Sequence, residues 1–286
     1  MLVSADRMAE RSGGAGMALA EVALSASSAS KTLALLAAMA ESAQPQFGVT
    51  QLGEMIGVPK STAHRLLKAL EAGGFVDRVG VKYRVGSLFF RLSEVARWSE
   101  YGELREVACR PLAWLFERSQ AVAVHLAVLC GSNVLYLDKI CKPAGTRLPS
   151  RVGGRFPATC TALGKAMLAH SDPAVVASVL DEPLARATPR SVTGPGRLAT
   201  QLAEIKRLGY ATEAEEACHG MVCVAAPVLI DGTARAAVSL SVPSVVSGGI
   251  DGRLGSYGAQ AIEAATRIAR LLPDPSWHEL PRAAVS

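Results

Sequence analysis

The sequence predicts an α+β protein in two parts: a helical N-terminal domain ending in a β-hairpin, and a larger domain with an antiparallel sheet and flanking helices. A chain of 286 residues has the usual length of two domains. A Gly-Val-Pro break at 57–59 separates two helical segments, and two short strand-forming runs follow them. Beyond residue 120, apolar strand segments alternate with helical ones, and Asp231-Gly232 marks a tight hairpin.

The N-terminal domain is expected to follow a flexible tail, 1–29, which is rich in Ala, Ser and Gly and lacks apolar periodicity. The pattern predicts helices over 30–39, 50–56 and 59–72, then strands on either side of a turn at 78–81. Three helices with a tight turn between the last two form a helix-turn-helix, and a hairpin beside it is a wing. We therefore assign 30–86 to a winged helix-turn-helix.

The third helix, PKSTAHRLLKAL, is amphipathic. At 100° per residue, its leucines lie on one side with Ala63, and the opposite side is polar and basic. The segment 31–93 holds eight Lys and Arg against four Asp and Glu, a charge excess typical of nucleic-acid binding. A merely solvated face is the alternative. The predicted DNA-binding residues are Lys60, Ser61, Thr62, His64, Arg65 and Lys68 on the helix, with Arg78, Lys82 and Arg84 on the wing.

Residues 87–119 read as helical, with an interruption at Gly102 and a kink at Pro111. After this stretch, the sequence pattern changes to alternating short strands and helices. Strands are expected over 121–129, 133–140, 222–229 and 234–241, and helices over 161–170, 174–180, 197–208 and 254–272. This pattern indicates an antiparallel sheet with helices packed on it.

Composition and spacing argue against several classes of protein. No uninterrupted apolar run is long enough for a membrane span and no signal peptide is apparent, so we expect a cytoplasmic protein without a membrane partner. The six cysteines lack paired spacings, which favours reduced thiols. Cys218, His219 and Cys223 match no tetrahedral metal site, so we expect neither a metal nor a cofactor. Cys160 has no identifiable catalytic partner, although a redox role for it stays open.

Four passages together resemble the IclR family of bacterial transcriptional regulators over about residues 30–273. They are GVPKSTAHRLLKALEAGGFV, YRVG, SRVGGRFPATCTALGKAMLA and GYATEAEEACHGMVCVAAPV. The resemblance implies a linker helix over 87–105, a GAF-like effector-binding domain over 106–273 and a C-terminal tail over 274–286. It also implies binding of double-stranded DNA as a homodimer or homotetramer, modulation by a small organic molecule, and no enzymatic activity.

The same resemblance implies an effector site in the second domain. Its residues would be Ala162, Leu163, Glu213, Cys223, Ser239 and Ser241. Two physical observations agree with it. Thr161 precedes a helix whose free N–H groups can hold a carboxylate, and Ser239 and Ser241 are two residues apart, hence on one face of a strand. We therefore add Thr161 to the site and predict a small organic acid as the effector.

The sequence thus predicts a transcriptional regulator that binds a roughly palindromic operator under the control of a small effector. The rival class is a small-molecule enzyme or a thiol-based redox-sensing domain that carries a basic helix. A third interpretation is a structural dimerisation module, which would bind no ligand. The residues leave repression and activation equally open.

Overall fold

The computed structural model describes residues 27–42, 44–96, 101–142, 148–244 and 250–272. The chain divides into two compact units, with the boundary between residues 97 and 98. The predicted C-terminal tail, 274–286, and the predicted N-terminal tail as far as residue 26 lie outside the described residues.

The N-terminal unit contains four helices and three short strands within its described residues. In chain order they are α1 (Ser28–Glu41), β1 (Phe47–Gly48), α2 (Val49–Met55), α3 (Lys60–Ala72), β2 (Val76–Val79), β3 (Lys82–Val85) and α4 (Leu88–Ala96). Helix α1 starts two residues earlier than predicted because Ser27 caps it, its hydroxyl accepting from the N–H of Ser30.

The turn between α2 and α3 uses the predicted break. Gly57 has φ +68°, a left-handed conformation that glycine adopts without strain, and Pro59 stands at the N-cap of α3. Helix α3 buries its apolar side, with Leu67 wholly enclosed in a core that includes Leu35 from α1 and Leu52 from α2. That packing turns the polar side of α3 outward.

The wing is a three-stranded antiparallel sheet in the order β1-β3-β2. The sequence predicted only the hairpin of β2 and β3. The extra strand joins Phe47 to Tyr83 and Gly48 to Lys82, and both Phe47 and Tyr83 are buried. The segment entering α2 is therefore paired with the wing.

The predicted helical stretch 87–119 contains α4 and α5 (Gly102–Arg118), and residues 97–100 between them lie outside the described part. Helix α5 runs through the buried Pro111. The linker helix expected over 87–105 covers α4 and the first residues of α5, and its role as a linker stays a prediction.

The C-terminal unit is built on a six-stranded antiparallel sheet. Its strands are β4 (Ala123–Cys130), β5 (Asn133–Cys141), β6 (Arg155–Pro157), β7 (Ala211–Ala214), β8 (Met221–Ile230) and β9 (Thr233–Pro243). Their order across the sheet is β6-β5-β4-β9-β8-β7. The four long strands match those predicted, whereas the short strands β6 and β7 at the two edges were missed.

Helices cover both faces of this sheet. The remaining helices are α6 (Ala162–Leu168), α7 (Pro173–Asp181), α8 (Pro195–Leu208) and α9 (Ile250–Leu271). Helices α5 and α9 enclose one apolar core with the sheet, and α6, α7 and α8 enclose the other. The predicted α+β class, with a winged helix-turn-helix and an antiparallel sheet flanked by helices, is confirmed.

Candidate DNA-binding surface and ligand pocket

The outward side of α3 is a free basic surface. Five of its predicted DNA-binding residues are exposed and Thr62 is half-buried. Within the described part of the chain, none of the six side chains makes a hydrogen bond or an ion pair. Nothing in the described N-terminal unit therefore competes with an incoming phosphate or base edge for Arg65 or Lys68.

The three wing cations differ in how far they are engaged. Arg84 lies opposite Asp77 in the β2–β3 register, and its Nη2 is 3.3 Å from the Asp77 carboxylate. Arg78 donates from Nε to the carbonyl of Gly80 at 2.9 Å. The Lys82 side chain is exposed and makes no hydrogen bond or ion pair with the described residues, which makes it the most available of the three for a phosphate.

A pocket in the C-terminal unit lies between the sheet and the start of α6. It encloses about 410 Å³, its open mouth included. Two cross-strand rows form its floor: Glu213, Cys223 and Ser241 are successive partners from β7 to β9, and Ser239 pairs with His125 on β4. The seven residues predicted for the effector site, Thr161, Ala162, Leu163, Glu213, Cys223, Ser239 and Ser241, all line this one pocket.

Eight further lining residues were not foreseen. They are His125, Tyr136, Leu148, Pro149, Ser150, Ala217, Cys218 and Met221. A histidine inside the apolar strand AVAVHLAVL was a usable signal for the first of them, because a polar group in a buried strand needs a partner. The segment 148–150 and the turn before β8 reach the pocket only through tertiary folding, which no local pattern reveals.

At the start of α6, the Thr161 side chain serves the helix itself. The Thr161 hydroxyl accepts from the N–H of Gly164 at 2.9 Å and donates to the carbonyl of Ala158 at 3.2 Å. It serves as the helix N-cap, so both of its hydrogen-bonding functions are used inside the protein. A Cβ at residue 164 would overlap the backbone of Ala158, which explains the glycine there.

His125 is a buried neutral imidazole at the centre of the pocket floor. One ring nitrogen lies 2.8 Å from the Ser150 hydroxyl and the other lies 3.3 Å from the Ser239 hydroxyl. Burial, together with the nearby Lys139 ammonium, lowers the pKa of His125 to about 3. Tyr136 lies beside the ring, with centroids 5.4 Å apart, and burial raises the pKa of its phenol.

We expect this histidine to make the C-terminal unit sensitive to acid. Because its pKa in the folded protein lies below 6.5, the unfolded chain binds more protons between pH 6.5 and about 3, so stability falls as the pH falls. The loss from His125 should be about 1.4 kcal/mol per pH unit across that window. Urea unfolding at several pH values should show a smaller acid loss for His125→Gln than for the wild type.

Other groups also titrate in the same region. Burial raises the pKa of Glu213, which acts in the opposite direction, and lowers that of His170, which acts in the same direction as His125. Both contributions cancel in the difference between wild type and variant. Parallel pH profiles for the two proteins would contradict the assignment.

A buried ion pair supports the turn that closes the pocket. Lys165 on α6 is 0% exposed, and its Nζ lies 2.6 and 2.7 Å from the two carboxylate oxygens of Glu216. The Glu216 carboxylate also accepts from the N–H of Val192 at 3.3 Å, and its carbonyl accepts from the Ser191 hydroxyl at 2.8 Å. These contacts fix the segment that presents Ala217 and Cys218 to the pocket.

Three of the cysteines, Cys160, Cys218 and Cys223, lie in surroundings that can be compared with the redox and metal alternatives. Cys160 is buried outside the pocket, and its thiol donates to the carbonyl of Ala185. Burial raises the pKa of both Cys218 and Cys223, and so does the neighbouring Glu213 carboxylate, which disfavours the reactive thiolate. The part of the chain that the structure describes holds no group of three or more side chains suited to a metal ion.

Among the described helices, none combines the length and the apolar character needed to cross a membrane.

A winged helix-turn-helix with a free basic face, in one chain with a second α+β unit, defines a DNA-binding transcriptional regulator. Comparison with known proteins gives the family. Residues 28–80 match the IclR helix-turn-helix domain, and residues 100–270 match the bacterial transcriptional regulator IclR C-terminal domain. The chain belongs to the IclR family of bacterial transcriptional regulators, as its motifs predicted.

Individual relatives agree with this assignment. The regulator KdgR of Escherichia coli (strain K12) is 30% identical over 263 residues, which are 90% of this chain and 95% of KdgR. The transcriptional repressor IclR of the same organism is 28% identical over 84% of this chain and 88% of its own. A crystal structure of an IclR homologue from Microbacterium hydrocarbonoxydans, complexed with 4-hydroxybenzoate, superposes with a TM-score of 0.71 and 28% identity. It covers 86% of this chain and 99% of that one.

These relatives are transcriptional regulators, so the prediction that the chain is not an enzyme is confirmed, and the rival enzymatic interpretation is withdrawn.

Proposed function

We propose that a small organic effector, bound in the pocket between the sheet and α6, modulates operator binding by this regulator. The observation that carries the proposal is the pocket itself, which gathers all seven predicted effector residues at one place. Its lining of apolar side chains with a few hydrogen-bonding groups is typical of small-molecule sites. Such a ligand changes DNA binding only to the extent that it binds one conformation of the protein better than another.

On the DNA side, we propose that α3 enters the major groove and the wing contacts the flanking backbone. Two copies of the chain would then read two half-sites of a palindrome about 34–36 Å apart. The proposal of a homodimer or homotetramer is supported by apolar side chains that the N-terminal unit leaves exposed, Leu33 on α1 and Phe90 and Val95 on α4. The protein would act in the cytoplasm, where the operator is.

On the ligand side, small carboxylic acids are the first compounds to test. The Microbacterium homologue was crystallised with 4-hydroxybenzoate, which makes aromatic acids a reasonable starting set. Because a relative is named a transcriptional repressor, we also propose repression as the mode of action.

The direct test is a gel-shift titration of the full chain with DNA from upstream of its own gene, at several salt concentrations and with and without the candidate acids. The proposal expects a sequence-selective shift that weakens or strengthens with at least one acid. A shift of equal strength on random DNA would contradict operator recognition, and a shift that no small molecule alters would favour the dimerisation-module interpretation.

For the wing, we expect Lys82→Ala to weaken binding to all DNA sequences and to lower the salt slope by about one unit, because a phosphate contact releases about one counterion. Fluorescence anisotropy across a salt series measures the slope. Arg84→Ala is the matched control: its guanidinium already pairs with Asp77, so its loss should change the slope less. An unchanged slope for Lys82→Ala would remove that residue from the interface.

A further inference from the structure

Glu213 is held through only one of its two carboxylate oxygens. Its Oε2 accepts from the N–H of Glu216 at 2.8 Å and from the N–H of Ala217 at 3.4 Å. Its Oε1 is buried, in a side chain that is only 2% exposed and lines the pocket, and no N–H or O–H group of the described residues donates to it. The Cys223 thiol is a weak donor beside this carboxylate. A buried, unpaired acceptor of this kind is costly unless something supplies a donor.

Several other polar side chains of the pocket have partners already. His125 is matched with Ser150 and Ser239, the hydroxyl of Thr161 caps α6, and the Cys223 thiol lies 3.2 Å from the Ser241 hydroxyl. Among the described lining residues, Glu213 is the one with a fully buried side-chain oxygen or nitrogen left unpaired. This oxygen is an acceptor that still needs a hydrogen-bond donor.

The charges at this end of the pocket agree with that demand. A second carboxylate, that of Glu216, lies close enough to oppose ionisation of Glu213, and its own charge is directed to Lys165. No Lys or Arg is among the lining residues that the structure describes. Once Glu213 is ionised, a ligand carboxylate placed against it would meet like charge, whereas a hydroxyl or amine meets an acceptor.

We propose that the effector presents a hydroxyl or amine donor to Oε1 of Glu213, and that this contact selects donor-bearing molecules over their methylated analogues. This inference rests on the proposed function, since it names the chemistry of the same pocket. An acid remains compatible with it if its carboxylate lies away from Glu213. Solvent does not reach Oε1, so a ligand that contacts it must displace a neighbour. The candidate is the thiol of Cys223, the cross-strand partner of Glu213.

Replacing Glu213 by Gln should not abolish ligand binding. It should instead invert the preference of the pocket for ligands that carry a hydrogen-bond donor. The N–H groups of Glu216 and Ala217 still require an acceptor, so they fix the Gln carbonyl oxygen where Oε2 lies. The amide NH₂ then occupies the place of Oε1 and becomes a donor. The variant should therefore favour an ether or carbonyl oxygen over a hydroxyl.

The experiment uses the full chain and two matched probe pairs, phenol with anisole and benzyl alcohol with benzyl methyl ether, at mildly alkaline pH. Calorimetric titration and thermal shift measure binding to the wild type, to Glu213→Gln and to Glu215→Gln. Glu215 is the matched control, because it belongs to the same turn but pairs with the exposed Arg190 and does not line the pocket. The wild type and Glu215→Gln should bind each donor about tenfold more tightly than its ether, and Glu213→Gln should reverse the order.

Equal affinities within each pair, no binding of either donor, or the same order in all three proteins would overturn the proposal. Operator binding is measured on the same samples by gel shift. A sequence-selective, effector-responsive shift without donor selectivity would leave the proposed function standing while this inference fails. Loss of the selective shift in the wild type would instead count against the proposed function.

Discussion

Replacing Lys165 by Met should lower the free energy of unfolding of the C-terminal unit by about 3–5 kcal/mol. The side chain is fully buried and meets both carboxylate oxygens of Glu216, which is itself 6% exposed. Met fills a similar volume but leaves the Glu216 charge in a low-dielectric interior without its cation. Urea unfolding followed by tryptophan fluorescence reports on this unit, because Trp98, Trp114 and Trp277 all lie at or beyond its first residue.

Two companion variants sharpen the result. The double variant Lys165→Met/Glu216→Gln removes the buried carboxylate charge together with its cation, so it should recover most of the free energy of unfolding that Lys165→Met loses. Arg190→Met breaks the neighbouring Glu215 pair, whose arginine is 65% exposed, and should cost no more than about 1 kcal/mol. A loss below about 1 kcal/mol for Lys165→Met alone would show that water reaches Glu216 and that the pair is not a structural support of the pocket.

Replacing Arg65 by Ala should reduce discrimination between operator and random DNA by about 1–3 kcal/mol, a factor of roughly 5 to 150 in the ratio of dissociation constants. Arg65 is exposed on α3 and has no partner in the described part of the chain, so its removal should change folding stability little. A bidentate contact with guanine is lost on the operator and has no counterpart on random DNA.

Competition anisotropy with labelled operator and unlabelled random DNA measures this ratio. Arg91→Ala is the control. It removes the same charge from the same unit, but Arg91 lies on α4, outside both α3 and the wing. If both DNAs lose affinity equally in Arg65→Ala, the residue contacts the phosphate backbone and another side chain of α3 carries the base readout.

Long elements could be predicted from the sequence because their signals are local. The strands β8 and β9 combine continuous apolar runs with the Asp231-Gly232 turn, and both were expected within two residues of their ends. Three short strands had no such signal. Ala211–Ala214 reads ATEA, a weak strand former, and it becomes a strand because β8 offers it an edge. Phe47–Gly48 likewise exists through pairing with β3.

The exposed basic face of α3 could be predicted from helical geometry, since burial of Leu66 and Leu67 leaves Arg65 and Lys68 outside. The pairing of Arg84 with Asp77 could not, because it depends on the strand register. In the pocket, the motif resemblance and the alternation of Ser239 and Ser241 placed the floor. The position of the other lining segments, 148–150 and the turn before β8, could not be predicted, because it depends on contacts between residues far apart in the chain, such as His125 with Ser150.

The two-residue strand β1 has a mechanical consequence for regulation. It bonds the segment that enters α2 to the central strand of the wing, with Phe47 and Tyr83 buried at the junction. The segment that leads into the helix-turn-helix is thereby joined to the wing by backbone pairing and by a shared core. We therefore expect an effector to alter the spacing and orientation of whole N-terminal units, so its effect on DNA binding should depend on the distance between half-sites more than on the bases within each one.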